Sequence, residues 1–362
     1  MKKELTVIKE EGKFAAWPAG YITKSWGNEI MTAALVCEYA NVERGHHFLQ
    51  ERPWDVYTAR SLDNGNTWTT TQTDLVDPAP AKVFRCPELL KDFDGKVDFT
   101  DPNFVLFYNM SGARSHDFSW WHYSTDRGRT WNGPYKLPKM EGFDYPLNMR
   151  TSYLVLNSDE LLVFGSCQKS TGREGRTFCA KVKDGGKAME FLSWIGPEFP
   201  DNGFMIMSQT ERRTDGTLVC LIRTQETVSV DLNPRGEIYY ISQYESTDNG
   251  LSWHYKGNPV ANHGGNPPAL SVMKDGTWVV VYGYRRRPFG IRCKYSEDEG
   301  RTWSEEIILR DDAFTADVGY PRSTALDDGS LFACYYIGTK EGEEQHIEAT
   351  ILDKDFLINA TK

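Results

Sequence analysis

One eight-residue pattern, Ser-x-Asp-x-Gly-x-x-Trp, occurs four times and constrains this chain more than any other feature. The copies begin at Ser61, Ser124, Ser246 and Ser296, with Asp63, Asp126, Asp248 and Asp298 at the third position, a glycine at the fifth (Gly65, Gly128, Gly250, Gly300) and Trp68, Trp131, Trp253 and Trp303 at the eighth. The residue types describe a tight hairpin. The carboxylate accepts from backbone amides about two residues on, the glycine supplies a positive φ, and the indole folds back beside the turn. Each copy therefore marks a β-turn between two strands.

A second period frames the first. A strand start is followed eight residues later by a turn residue at Pro87 to Gly95, Ser152 to Glu160, Ser208 to Gly216, Pro268 to Gly276 and Pro321 to Gly329, with a looser version running from Pro18 through Trp26-Gly27-Asn28. Successive anchors lie 53 to 69 residues apart, which is the size of a four-stranded blade. Apolar runs follow the turns, as in Leu161–Gly165, Leu218–Ile222 and Trp278–Gly283, the signature of buried strands. Long helical periodicity is absent. The pattern predicts an all-β fold, a six-bladed β-propeller of four-stranded antiparallel blades forming a single domain over residues 1–362, with a seventh blade as the structural rival. The segment Glu4 to Lys9 is expected to add a strand that closes the ring.

Composition narrows the function classes. With 51 Asp and Glu against 41 Lys and Arg, the net charge is -10, which argues against nucleic acid as a partner. The seven cysteines form no CxxC pair and read as buried thiols. No apolar core follows the basic start and no run approaches 18 apolar residues, so neither a signal peptide nor a membrane span is expected and a cytoplasmic location is; an exported form trimmed of its signal would read alike. No metal-ligand spacing and no phosphate-binding Gly loop occurs, so no cofactor is implied.

Asp boxes in blade-length repeats resemble the sialidase (neuraminidase) superfamily over essentially the whole chain. The resemblance implies chemistry at the starts of the inner strands: three arginines for a substrate carboxylate, a Tyr paired with a Glu, and an Asp acid/base in a loop of the first blade. Here Ala16-Trp17-Pro18 stands where the first Arg is expected, and Met207 stands at or near the Glu position. Arg223 and Tyr320 do match. The stretches His263-Gly-Gly-Asn266, Tyr282 to Arg285-Arg286-Arg287, and Asp317-Val-Gly-Tyr320-Pro-Arg322 are similar to a divergent branch that includes ulvan-type uronate lyases and a rhamnosidase family, in which His and Tyr replace the carboxylate apparatus.

The candidate site follows. The loop Glu38–Asp55 holds proton-transfer groups, of which His47 is preferred over His46, with Asp55 the alternative acid. Together with Tyr320 these are the expected catalytic residues. Arg223, Arg285 and Arg322 are expected to receive a carboxylate, with His263, Asn266 and Arg150 as further binding residues. His116, His122, Trp120 and Trp121 read as a core cluster or a sugar-stacking rim. The expected activity is glycoside hydrolysis of a terminal sugar on an acidic, sialate- or uronate-containing glycan. A uronate lyase and a non-catalytic glycan- or protein-binding propeller are the alternatives.

Overall fold

The computed structural model describes all residues except 19–21, 43–45, 49–53, 74, 76–89, 111–118, 144, 146, 151, 201, 229–235 and 362. The expected strand start at Pro87, Cys86, His116, and Glu43, Arg44 and Arg52 of the candidate loop lie outside the described residues. The fold class is the expected one, a six-bladed β-propeller: the strands sort into six antiparallel sheets, five built from consecutive chain and one from both ends of it. Two compact units divide them, one of residues 1–84 and 266–362, the other of residues 85–265.

In the first unit, the first blade has a broken inner strand, Lys13–Ala16 and Thr23–Trp26, both paired to Glu29–Glu38, then Asp55–Ser61 and Thr69–Gln72. The fifth blade runs Ala269–Val272, Trp278–Tyr284, Gly290–Ser296, Ile307–Arg310. The sixth runs Gly319–Ala325, Leu331–Ile337, His346–Leu352, and its fourth strand comes from the opposite end of the chain: Lys2–Ile8 pairs antiparallel with His346–Leu352, as expected of the N-terminal segment. In the second unit, the fourth blade is a regular set of four strands from Phe204–Arg212 to His254–Ala261. The third is a six-piece sheet whose first two strands are each broken, and the second blade shows three described strands.

The second strand of a blade is apolar on both faces because each face meets a neighbour. Leu331–Ile337 is wholly buried; its Phe332, Cys334 and Tyr336 join residues of the first blade in one core, and its Leu331, Ala333, Tyr335 and Ile337 join the fifth in another. The period-2 alternation of a strand sends its residues to two cores, so no polar face remains. The six described cysteines are all buried and free, and burial pushes the thiols of Cys37, Cys167 and Cys220 up to about 12. Among the described residues no helix is long and apolar enough to cross a membrane.

Each of the four Asp boxes connects the last two described strands of its blade. In the first box, Ser61 Oγ donates to Asp63 Oδ1 (2.8 Å) and accepts from Gly65 N (2.8 Å), while Asp63 accepts from the Thr67 amide (2.8 Å) and hydroxyl (2.7 Å). The carboxylate thus reaches the amide four residues on rather than two. Gly65 sits at φ +82°, and Trp68 Nε1 donates to its carbonyl. The hydroxyl and amide of Thr67 hold the Asp63 carboxyl down at about 2, and Ser252 and Ser246 do the same for Asp248.

Because antiparallel strands alternate in direction, the boxes lie at the opposite end of each sheet from the start of its inner strand. That entry end, where the first strand begins and the second-to-third connection turns, carries the candidate residues of the sequence.

Two outcomes test this account. Ser296 is buried and its Oγ satisfies the buried Gly300 amide (2.8 Å), so Ser296→Ala should cost about 1–3 kcal/mol, read as a lowered urea midpoint. The lowered pKa values of Asp63 and Asp248 mean that their contribution is complete above about pH 4 and is lost as pH falls toward 2. Near-ultraviolet circular dichroism should show acid unfolding within that window, and a transition centred well above it would contradict the assignment.

Candidate functional site

In three inner strands a large residue occupies the left-handed backbone region where the ladder breaks or slips: Trp17 (φ +54°), Met207 (φ +56°) and Tyr320 (φ +48°). Each immediately precedes one of the sequence anchors, Pro18, Ser208 and Pro321. The ladder slips between Ile206 and Gln209 and between Gly319 and Arg322, and the first inner strand breaks between Ala16 and Thr23. A bulge re-aims a side chain, and bulky residues at positive φ cost about 1–3 kcal/mol each, a strain concentrated at functional positions.

The strain at Tyr320 is held by Asn266. Its amide oxygen accepts from Tyr320 N (2.7 Å) and its nitrogen donates to the Val318 carbonyl (3.1 Å). Asn266 is fully buried, and it fits only because residues 283 and 319 are glycines: a Cβ there would come within 2.6 Å and 2.3 Å of its side chain. The expected binding residue Asn266 is thus a backbone staple.

Around Tyr320 the first unit assembles a continuous hydrogen-bond chain. Asp317 Oδ1 accepts from His46 Nδ1 (2.8 Å) and from the Tyr336 hydroxyl (2.6 Å). The Tyr336 oxygen in turn accepts from Arg285 Nη2 (2.8 Å), and Arg285 Nε donates to the Val318 carbonyl (3.1 Å). The Arg285 guanidinium lies 5.4 Å from the centroid of the Tyr320 ring, and the rings of Tyr320 and Tyr336 are 6.1 Å apart. Trp17 meets His46 edge-on at 4.7 Å and packs with Phe48 and Trp54.

The electrostatics follow from this packing. Burial raises the Asp317 carboxyl, but the hydrogen bond and charge of His46, the Tyr336 hydroxyl and Arg285 outweigh it and hold it below the ordinary carboxylate value. An ionised carboxylate only accepts, so His46 Nδ1 carries a proton toward it, and Nε2, on a ring 40% exposed, is the nitrogen left to exchange one. Burial, against the pull of Arg285 and with the charge of Asp317, pushes the Tyr336 phenol far above its usual value, so it remains a donor. Asp317 Oδ2 is buried with no hydrogen-bond partner among the described residues, a cost characteristic of working sites.

The other expected residues lie as follows. His47 accepts from Val42 N (3.3 Å) and stacks on Tyr39; its neighbour His46 is the one in the chain. Asp55 opens the third strand of the first blade opposite Val36, beside Trp54, and no described hydrogen bond links it to Asp317. Arg322 is half-buried opposite Cys334, two residues beyond Tyr320. In the second unit, Arg223 reaches Met207 Sδ (3.7 Å) and the face of Phe204, Arg150 pairs with the buried Glu174, and His263 is fully buried. Trp120, Trp121 and His122 are buried, the core alternative for that cluster.

The sequence by itself assigns Asp317 no role and does not single out Tyr336. The available signal for Tyr336 was chemical: a tyrosine inside a wholly buried strand needs a partner for its hydroxyl. Among the described residues no group of three His, Cys, Asp or Glu side chains could hold a metal ion.

Nitrogen-15 NMR should find His46 as the Nδ1–H tautomer, with Asp317→Ala shifting it toward Nε2–H. Unchanged ring shifts in the variant would break the chain at its first bond.

The chain matches the family description "BNR repeat-like domain" over residues 56–333. No curated protein matches it. Among solved structures it is similar to a protein of unknown function from Dyadobacter fermentans, at 19% identity and a TM-score of 0.73, covering 97% of this chain and 98% of that one. It is similar to the Trypanosoma rangeli sialidase in complex with sialic acid, at 12% identity and a TM-score of 0.63, covering 99% of this chain and 60% of that one. The GH93 α-L-arabinofuranosidase of Fusarium graminearum with arabinobiose matches at 11% identity and a TM-score of 0.61, covering 98% of each chain. At these identities the likeness is one of fold.

Proposed function

Because the chain belongs to the BNR repeat-like domain family, we propose that it is a carbohydrate-active enzyme of glycoside hydrolase type, removing a terminal sugar from an acidic glycan. The observation that carries this reading is the chain His46–Asp317–Tyr336–Arg285 beside Tyr320, set at a strained strand start. Structural neighbours named as a sialidase and an arabinofuranosidase support a propeller that handles glycans.

Each residue has a role that its surroundings suit. His46 Nε2 exchanges a proton with the glycosidic oxygen or with water, while Asp317 fixes the imidazole and stabilises its cation. Tyr320 supplies the nucleophilic oxygen, and the Arg285 guanidinium stands 5.4 Å from the centroid of its ring. Arg285 spends two N–H groups on Val318 and Tyr336; its remaining donors, with Arg322, receive the substrate carboxylate.

One observation favours a second reading, β-elimination at a uronate. The hydrogen-bonded chain contains a single carboxylate, already committed to His46 and Tyr336, whereas most glycosidases work with a carboxylate pair. In elimination, neutral His46 takes the proton α to the carboxyl as the C–O bond to the leaving sugar breaks, a C=C bond forms, and the Tyr320 hydroxyl protonates the departing oxygen.

A panel of sialosides and uronate- and rhamnose-capped oligosaccharides tests both. Hydrolysis releases a saturated sugar; elimination leaves an unsaturated product absorbing in the ultraviolet. His46→Ala should lower kcat by about 10²- to 10⁴-fold. No product from any member of the panel would sink the enzymatic reading and leave a binding propeller.

A further inference from the structure

Beside the hydrogen-bonded chain, the same loops of the first unit form a groove lined by Arg287, Phe289, Ala313, Phe314, Thr315 and Thr339. Its walls continue the segments that carry the site. Arg287 lies two residues beyond Arg285 in the turn after Trp278–Tyr284. Thr315 lies two residues before Asp317, and its hydroxyl accepts from the Asp317 amide (3.2 Å). Thr339 follows Tyr336 by three residues. All three segments turn at the entry end, so groove and site are contiguous through three separate connections.

The chemistry of the groove is specific. Asp312 at its edge is neutralised by two bonds from Arg310 (2.8 and 2.7 Å), and Thr339 is occupied by Glu343. Two groups remain to face a ligand. Phe314 presents a ring 46% exposed, and the exposed Arg287 guanidinium lies 5.0 Å over the Phe289 ring with no ion-pair partner among the described residues. A lone exposed Phe is ordinary on a protein surface. An exposed ring and an unpaired guanidinium in one concavity, joined to a carbohydrate-type site, fit a narrower ligand: a pyranose whose C–H face lies on the ring and whose carboxylate enters the guanidinium fork.

We infer that this groove is a subsite for a second, carboxylate-bearing sugar adjacent to the unit processed at His46 and Tyr320. The substrate is then an acidic oligosaccharide read over at least two residues, with Arg287 and Phe314 setting specificity for the neighbour. This rests on the carbohydrate-active reading above.

The test uses the full chain with a uronate-containing oligosaccharide and its carboxyl-reduced counterpart. The ratio of their KM values should favour the acidic form by about tenfold or more in the wild type, collapse toward one in Arg287→Gln, and both KM values should rise in Phe314→Ala. Ratios unchanged in Arg287→Gln would overturn the subsite while leaving the activity intact. If the wild type turns over neither glycan, calorimetry with the same two ligands decides: binding of the acidic form that weakens in Arg287→Gln upholds the subsite and sinks the catalytic reading, and no binding overturns both. Both side chains are exposed, so an unchanged thermal midpoint confirms that the variants fold.

Discussion

A β-strand with apolar residues on both faces must be covered on both, and the second strands of these blades impose that condition repeatedly. Leu331–Ile337 and Trp278–Tyr284 have no solvent face, so each blade needs a neighbour on either side. The sixth blade meets the condition by recruiting Lys2–Ile8 from the other end of the chain as its outer strand. With the cores occupied by the strand bodies, chemistry is left to the strand ends and their connections. The Asp boxes take one end for hairpin stability, and the other is free to carry polar side chains.

At that entry end the backbone itself is committed. Trp17, Met207 and Tyr320 occupy a conformation that large L-residues avoid, each where an inner strand slips its ladder. Around Tyr320 the cost is offset by a buried amide: Asn266 holds its N–H, and Gly283 and Gly319 make room for the staple. A binding residue in such a place would have to reach solvent, and Asn266 does not. The residue instead decides where the Tyr320 ring stands relative to Arg285.

The charged groups follow the same logic of mutual compensation. Asp317 alone at this depth would be driven toward neutrality; His46, Tyr336 and Arg285 keep it ionised, its charge orients the imidazole, and burial, with that charge, keeps the Tyr336 phenol protonated. Where the sialidase resemblance leads one to expect an Arg, Trp17 packs perpendicular to the His46 ring instead. The candidate site is therefore organised around an imidazole and two tyrosines, with the Arg285 cation beside them.

Local periodicity was enough to read the blades, the hairpins and the buried strands, because each depends on residues within about ten positions of one another; the N-terminal strand was expected only as the piece that completes the last blade, and its partner His346–Leu352 lies at the other end of the chain. Tyr320 and Arg285 came forward through the family resemblance rather than through periodicity, which marks strand ends but not the chemistry at them. It could not choose His46 over its neighbour His47, because what separates them is Asp317, 271 residues away in the chain. Nor could it separate Tyr336 from the apolar run around it, or foresee that Arg150 is matched by Glu174. Secondary structure is written in short-range pattern; the partner of a buried polar group is chosen by whichever strands the fold brings side by side, and only the tertiary structure decides that.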